Sequence, residues 1–191
     1  MVNQRFLHET WDVERSAQRF RELIIYIAQR SVADPWFGAT KLNKILYHSD
    51  FRAFERFGVP LTGVRYFRLP QGPAPKKLKH VERELIEEGA IRIEEVELDF
   101  GRQGYRQKRT VALREPEMRL FTADEIALID EVIRDLWSQN AAEVSNASHD
   151  VRWRVLQHKD SLPYEFARLA DYPVTDSEDR HIQELANRFG W

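Results

Sequence analysis

The sequence predicts a mainly α-helical α+β domain, with five to seven helices around one central antiparallel β-hairpin. Three observations lead there. Apolar residues recur at three-and-four spacing through residues 12–31 and 41–58. Two stretches, Thr122-Ala-Asp-Glu125 and Thr175-Asp-Ser-Glu178, have the capping-box pattern that opens helices. In the middle of the chain, two β-rich runs flank a Gly101–Gly104 turn.

The first helix, over residues 12–31, has an inner stripe of Val13, Phe20, Leu23, Ile24 and Ile27. Asp34-Pro-Trp-Phe-Gly38 breaks it as a turn, because Pro35 biases its neighbour away from the helical region. The second helix buries Leu42, Ile45, Leu46, Ser49, Ala53, Phe54 and Phe57 and stops at Gly58. Residues 59–75 read as irregular, with Tyr66–Leu69 a short strand. Leu69–Pro75, LPQGPAP, reads as a stiff loop leading into the next helix. That helix, Lys76–Glu88, turns Leu78, Val81 and Leu85 inward and ends at Gly89.

The hairpin strands are Ile91–Phe100 and Tyr105–Leu113. The first changes phase between Ile93 and Val96, which predicts a bulge or a twist. Acids on one strand (Glu94, Glu95, Glu97, Asp99) face bases on the other (Arg106, Lys108, Arg109), so cross-strand pairing is expected. A helix from Thr122 to about Gln139 presents Ile126, Ile129, Ile133, Leu136 and Trp137. Residues 141–157 form a helical piece broken near His149, and a last helix spans residues 176–189.

Composition narrows the function classes. Of 191 residues, 42% are hydrophobic and 12% aromatic, enough for a real core. The absence of cysteine excludes disulfides, thiol nucleophiles and cysteine-ligated zinc. A formal net charge of −2 argues against bulk nucleic-acid affinity, which rests on phosphate neutralisation. No apolar leader opens the chain. The longest apolar run, Leu23–Ala28, is far short of the roughly 20 residues of a membrane span. A cytoplasmic protein with no membrane contact is expected.

Catalytic and phosphate-binding signatures (GxGxxG, GxxxxGK[ST], GxSxG, HExxH) are missing. His48 and Asp50 are two apart and point apart on a helix, so they form no local catalytic pair. A metal site from His48, Asp50 and His149, or a His/Asp hydrolase, has only scattered residues behind it. No catalytic residue, metal or cofactor is expected.

A winged-helix regulator has more behind it. Leu78–Glu97 followed by Tyr105–Leu113 looks like a recognition helix and its wing. Lys76, Lys77, Lys79 and His80 suit phosphate, but Glu82, Glu84, Glu87 and Glu88 repel it. DNA binding is therefore the alternative reading, with nucleic acid an unlikely partner.

Asp50 shares a helix face with Leu46 and Phe54, where a carboxylate needs partners. It reads as a buried tie point, accepting hydrogen bonds from loop amides, from Tyr66 or from His149. His149 and Trp153 are four apart and share a face, with Trp153 in the core.

Lys41–Phe51 (KLNKILYHSDF), Gly58–Pro75 (GVPLTGVRYFRLPQGPAP), Glu84–Ile91 (ELIEEGAI) and Ser148–Trp153 (SHDVRW) together resemble the Panacea antitoxin domain, also called the SocA-like or GepA phage-associated domain. The resemblance implies a single domain over residues 1–191. Its core is residues 20–155, with the 176–189 helix as an appendage. It implies an antitoxin of a type II-like toxin–antitoxin system that neutralises a toxin from an adjacent gene by direct protein contact. Some members are associated with protease delivery of the toxin. The residues expected to contact or organise that partner are Lys44, Tyr47, Asp50, Tyr66, Phe67, Gln71, Gly72, Pro73, His149 and Trp153. Tyr47, Tyr66, Phe67 and the Gln71–Pro73 loop are the expected anchors, with Lys44, Asp50 and His149 beneath them.

Overall fold

A computed structural model describes residues 13–97 and 106–169, together with the single positions Arg180 and Glu184. The helices are α1 (Val13–Arg30), α2 (Ala39–Phe57), α3 (Leu78–Glu87), α4 (Ala123–Asp135), α5 (Ala141–Ala147) and α6 (Val151–Arg154). The strands are β1 (Tyr66–Leu69), β2 (Gly72–Pro75), β3 (Ile91–Glu97), β4 (Arg106–Ala112) and β5 (Ser161–Leu162). The α+β class is as expected, but there are two small antiparallel sheets among the described residues. One is β3-β4 and the other is three-stranded, in the order β2-β1-β5.

Helix α2 is the axis of the fold. Leu42, Ile45, Leu46 and Ala53 join the larger core with Phe20, Leu23, Ile24 and Ile27 of α1 and Leu128, Ile129 and Val132 of α4. Tyr47 and Phe51 enter a second core with Tyr66, Leu162 and Ala167. The helix is thus buried on two sides, and no single stripe describes it. It ends where Gly58 takes a φ of 78° and donates its N–H to the Phe54 carbonyl. Three apolar residues expected inside lie outside: Val13 in the first turn of α1, Phe57 in the last turn of α2, and Trp137 just past the end of α4. Each sits at a helix end, where the neighbouring elements no longer cover the stripe.

The GPAP stretch is a strand, not a loop. Phe67 pairs with Ala74, Arg68 with Pro73 and Leu69 with Gly72 across a tight turn at Pro70–Gln71. Prolines are tolerated here because β2 is an edge strand. Lys76 N–H bonds to the Arg65 carbonyl, so even-numbered residues point their backbone groups toward β1. The ring nitrogens of Pro73 and Pro75 therefore turn away from β1, where no ladder hydrogen bond is needed, and both residues are buried.

In the second sheet, Ile91 pairs with Ala112 and the register runs without interruption to Glu97 opposite Arg106. Of the bulge or twist expected between Ile93 and Val96, the bulge is absent from this stretch. The hairpin is instead packed on both faces. Gln107 reaches the carbonyls of Pro35 and Phe37, while Thr110 meets Glu82 of α3. Of the expected charge pairs, Glu95 meets Lys108 at 3.8 Å and Arg106 at 4.0 Å. The Gly101–Gly104 turn lies outside the described residues, as do the Thr175–Glu178 capping box and most of the last helix.

The Thr122–Glu125 capping box forms as expected. A second box, Asn140 with Glu143, opens α5. The break near His149 falls between α5 and α6, and Asp150 caps α6 through the Trp153 N–H.

Candidate interaction site

Asp50 is fully buried on α2. Its Oδ1 accepts from the Thr62 N–H at 2.7 Å, and its Oδ2 from the Thr62 hydroxyl at 2.6 Å and the Tyr66 hydroxyl at 2.8 Å. Burial raises its pKa, and these donors oppose that rise by favouring the carboxylate. The carboxylate thus ties α2 to the segment before β1 and to β1 itself. Thr62 supplies two of the three bonds. His149 is not among the partners: it stacks on Trp153 at 4.0 Å instead.

Lys44, less than two turns before Asp50, is 1% exposed and hydrogen-bonds the Pro73 carbonyl at 3.0 Å. Among the described residues it has no carboxylate partner in an ion pair. Burial depresses its pKa to about 7. Gly72 makes this approach possible. Its φ is 93°, and a Cβ there would lie 2.2 Å from the Ser148 Oγ and 2.4 Å from the Lys44 Nζ. Only glycine meets both conditions.

The turn is held from its other side by α5 and α6. Ser145 Oγ donates to the Gln71 carbonyl at 3.0 Å, and Trp153 Nε1 to the Leu69 carbonyl at 2.8 Å. Arg68 stacks on the Trp153 ring at 3.8 Å. Trp153 is half-buried, so it clamps the hairpin rather than filling the core. Burial and the nearby Lys44 and Arg68 cations lower the His149 pKa.

All ten expected residues thus belong to one neighbourhood around α2, the β1–β2 hairpin and α6, but their roles differ from expectation. Tyr47 and Tyr66 are 0% exposed and cannot be surface anchors. They pack edge to face at 5.8 Å in the second core. Pro73 and Gly72 are also buried, while Gln71 is exposed and Phe67 half-buried. Several structural residues escaped the sequence reading. Lys41 and Asp34 form a buried ion pair at 2.7 Å, fixing the DPWFG turn to α2. Arg19 bonds Glu125 and the carbonyls of Leu61 and Leu120. The only sequence signal for either was a charge beside an apolar stripe.

Beside the hairpin lies a groove of about 720 Å³ between the start of α2, β1–β2 and α3. Phe67, Leu69 and Ala74 line it together with Lys76, Lys79 and Glu82, and Lys44 lines it from within. The winged-helix reading fares less well. Arg109 is spent on the carbonyls of Ser31 and Val32, and Lys108 and Arg106 approach Glu95. Glu84 of α3 and Glu88 just past its end pair with Arg21. Among the described residues, the cations of this wing each have a protein partner.

A family model, antitoxin SocA-like, Panacea domain, matches residues 42–154, more than half of the chain. The chain belongs to the Panacea family. The matched stretch starts on α2 and ends on α6, so it contains the Lys44 and Asp50 ties, both hairpins and the Trp153 clamp. No curated protein matches the chain, and no solved structure does. Among the described residues, no helix is long and apolar enough to cross a membrane.

Proposed function

We propose that this Panacea protein is an antitoxin that neutralises a toxin encoded beside it by direct, stoichiometric binding, without turnover. The observation that carries the reading is the family match over residues 42–154. The geometry supports it. The Asp50 and Lys44 ties and the Trp153 clamp hold the β1–β2 hairpin rigid against α2. A preorganised surface loses little entropy when a partner docks. The exposed Gln71 and half-buried Phe67 on that hairpin are the contact residues. Lys44, Asp50, Gly72, Pro73, Tyr47 and Tyr66 position them, and His149 and Trp153 brace them.

Co-expression tests this. Expressed alone, the product of the adjacent gene should arrest growth, and this chain should restore growth and co-elute with it. A neighbour that is harmless alone refutes the reading. Toxin abundance separates blocking from proteolysis: it stays constant on rescue if the toxin is blocked and falls if the toxin is degraded.

A further inference from the structure

The groove beside the hairpin has an unbalanced charge. Lys44, Lys76, Lys79 and Lys159 line it, against the single acid Glu82 among its lining residues. Lys76, Lys79 and Lys159 are exposed, while Lys44 is buried at its inner wall. Burial raises the Glu82 pKa against the opposing pull of Thr110 and Lys79, and its carboxylate accepts from Thr110, so this one acid offsets at most one of the lysines.

The backbone adds to the imbalance. The first turns of α2 (Ala39, Thr40) and α3 (Leu78, Lys79) both line the groove. Neither helix has a side-chain cap or an acidic residue in its first turn. No side-chain cap or first-turn acid therefore offsets the positive ends of these two helices. The floor between these charges is apolar: Phe67, Leu69 and Ala74 of the sheet and Leu78 of α3. Lys76 lies over the Phe67 ring at 5.1 Å, at the junction of the two zones.

We infer that this groove seats a short acidic segment of the protein partner, its carboxylates on Lys76, Lys79 and Lys159 and an apolar side chain on Phe67 and Leu69. The inference rests on the antitoxin reading for the partner's identity, but not for the chemistry of the groove. Charge complementarity of this kind selects partners and speeds encounter. A nucleic acid fits less well. Only three exposed lysines line the groove, few for the multiple phosphate contacts on which duplex affinity rests. The apolar floor also has no counterpart in a phosphate backbone.

The test uses the full chain and a short fluorescein-labelled peptide alternating glutamate with leucine, read by fluorescence anisotropy. The controls are the same peptide with lysine for glutamate, and a labelled DNA duplex. Binding of the acidic peptide should weaken about tenfold in the K76E/K79E variant, two exposed charge reversals at one site. It should also weaken in Phe67→Ala, while the lysine peptide and the duplex do not compete. Circular dichroism checks that both variants stay folded. No binding by the parent chain, equal binding by K76E/K79E, or preferential binding of the duplex overturns the inference. The antitoxin reading fails separately. Rescue that survives K76E/K79E keeps the antitoxin and loses the groove. Acidic-peptide binding beside a harmless neighbouring gene keeps the groove and loses the antitoxin.

Discussion

Replacing Lys44 by methionine should stabilise this protein at neutral pH. The side chain is 1% exposed, bonds a neutral carbonyl and, among the described residues, has no counter-charge at bonding distance. Burial moves its pKa from near 10.5 to about 7. At ~1.4 kcal/mol per pH unit, holding the charge inside costs about 5 kcal/mol. Methionine fills a similar volume without the charge. It loses the bond to Pro73 and leaves that carbonyl without a donor, together about 2 kcal/mol. The net gain below pH 7 is about 3 kcal/mol, or roughly 10 °C in Tm for a chain of this size.

The pH dependence gives the sign. Unfolded, Lys44 keeps its proton up to about pH 10.5; folded, it releases it near pH 7. Between these values the unfolded chain binds more protons, so the parent gains stability as pH rises from 7 to 10.5. Below 7 the cost is constant. The advantage of Lys44→Met should therefore shrink with rising pH and reverse by about 2 kcal/mol near pH 10.5. Urea unfolding of both proteins at pH 6, 8 and 10 measures this difference, and other titrating groups cancel between the two. A difference that stays constant across that range, or a methionine variant less stable at pH 6, refutes the reasoning.

Other consequences follow from the same neighbourhood. Gly72→Ala combines a positive φ with contact on Lys44 and Ser148, and should cost about 3 kcal/mol and loosen the hairpin in amide exchange. Asp50→Asn replaces an acceptor with an NH2 group that faces a donor, and should cost about 3 kcal/mol in urea unfolding. A Thr62→Val variant that removes one donor should cost less than Asp50→Asn. Thr122→Ala removes half of a formed capping box and should cost about 1 kcal/mol, leaving any partner affinity unchanged by calorimetry.

Asp50 was legible in the sequence because a carboxylate on an apolar face is an anomaly that only burial with partners resolves. Lys41 and Lys44 were harder, since lysines on an amphipathic helix ordinarily mark its wet side. They are dry because a second core and the hairpin cover the far face of α2, a tertiary fact that no local period encodes. The same cover hides Tyr47 and Tyr66, which looked like surface anchors. The Thr122 capping box, the stops at Gly58 and Gly89 and the break near His149 are local devices, and they formed where the residues placed them. Strand β2 was missed because two prolines in four residues argue against a ladder, and the exemption applies only to an outward edge. The phase change in β3 reflects neighbours on both faces of the hairpin rather than an inserted residue.

That outward edge sets how this protein can meet others. An open strand ordinarily offers a row of N–H and C=O groups on which another chain can zip. Here the two outward nitrogens belong to Pro73 and Pro75 and carry no hydrogen, and the Pro73 oxygen is already taken by Lys44. The rim of the sheet is chemically blunt. Gly72, Pro73 and Pro75 are also buried, so copies waiting without a partner cannot grow into a shared sheet along it, even when crowded. Any protein that docks beside it must be recognised by its side chains, not by the shape common to every polypeptide backbone.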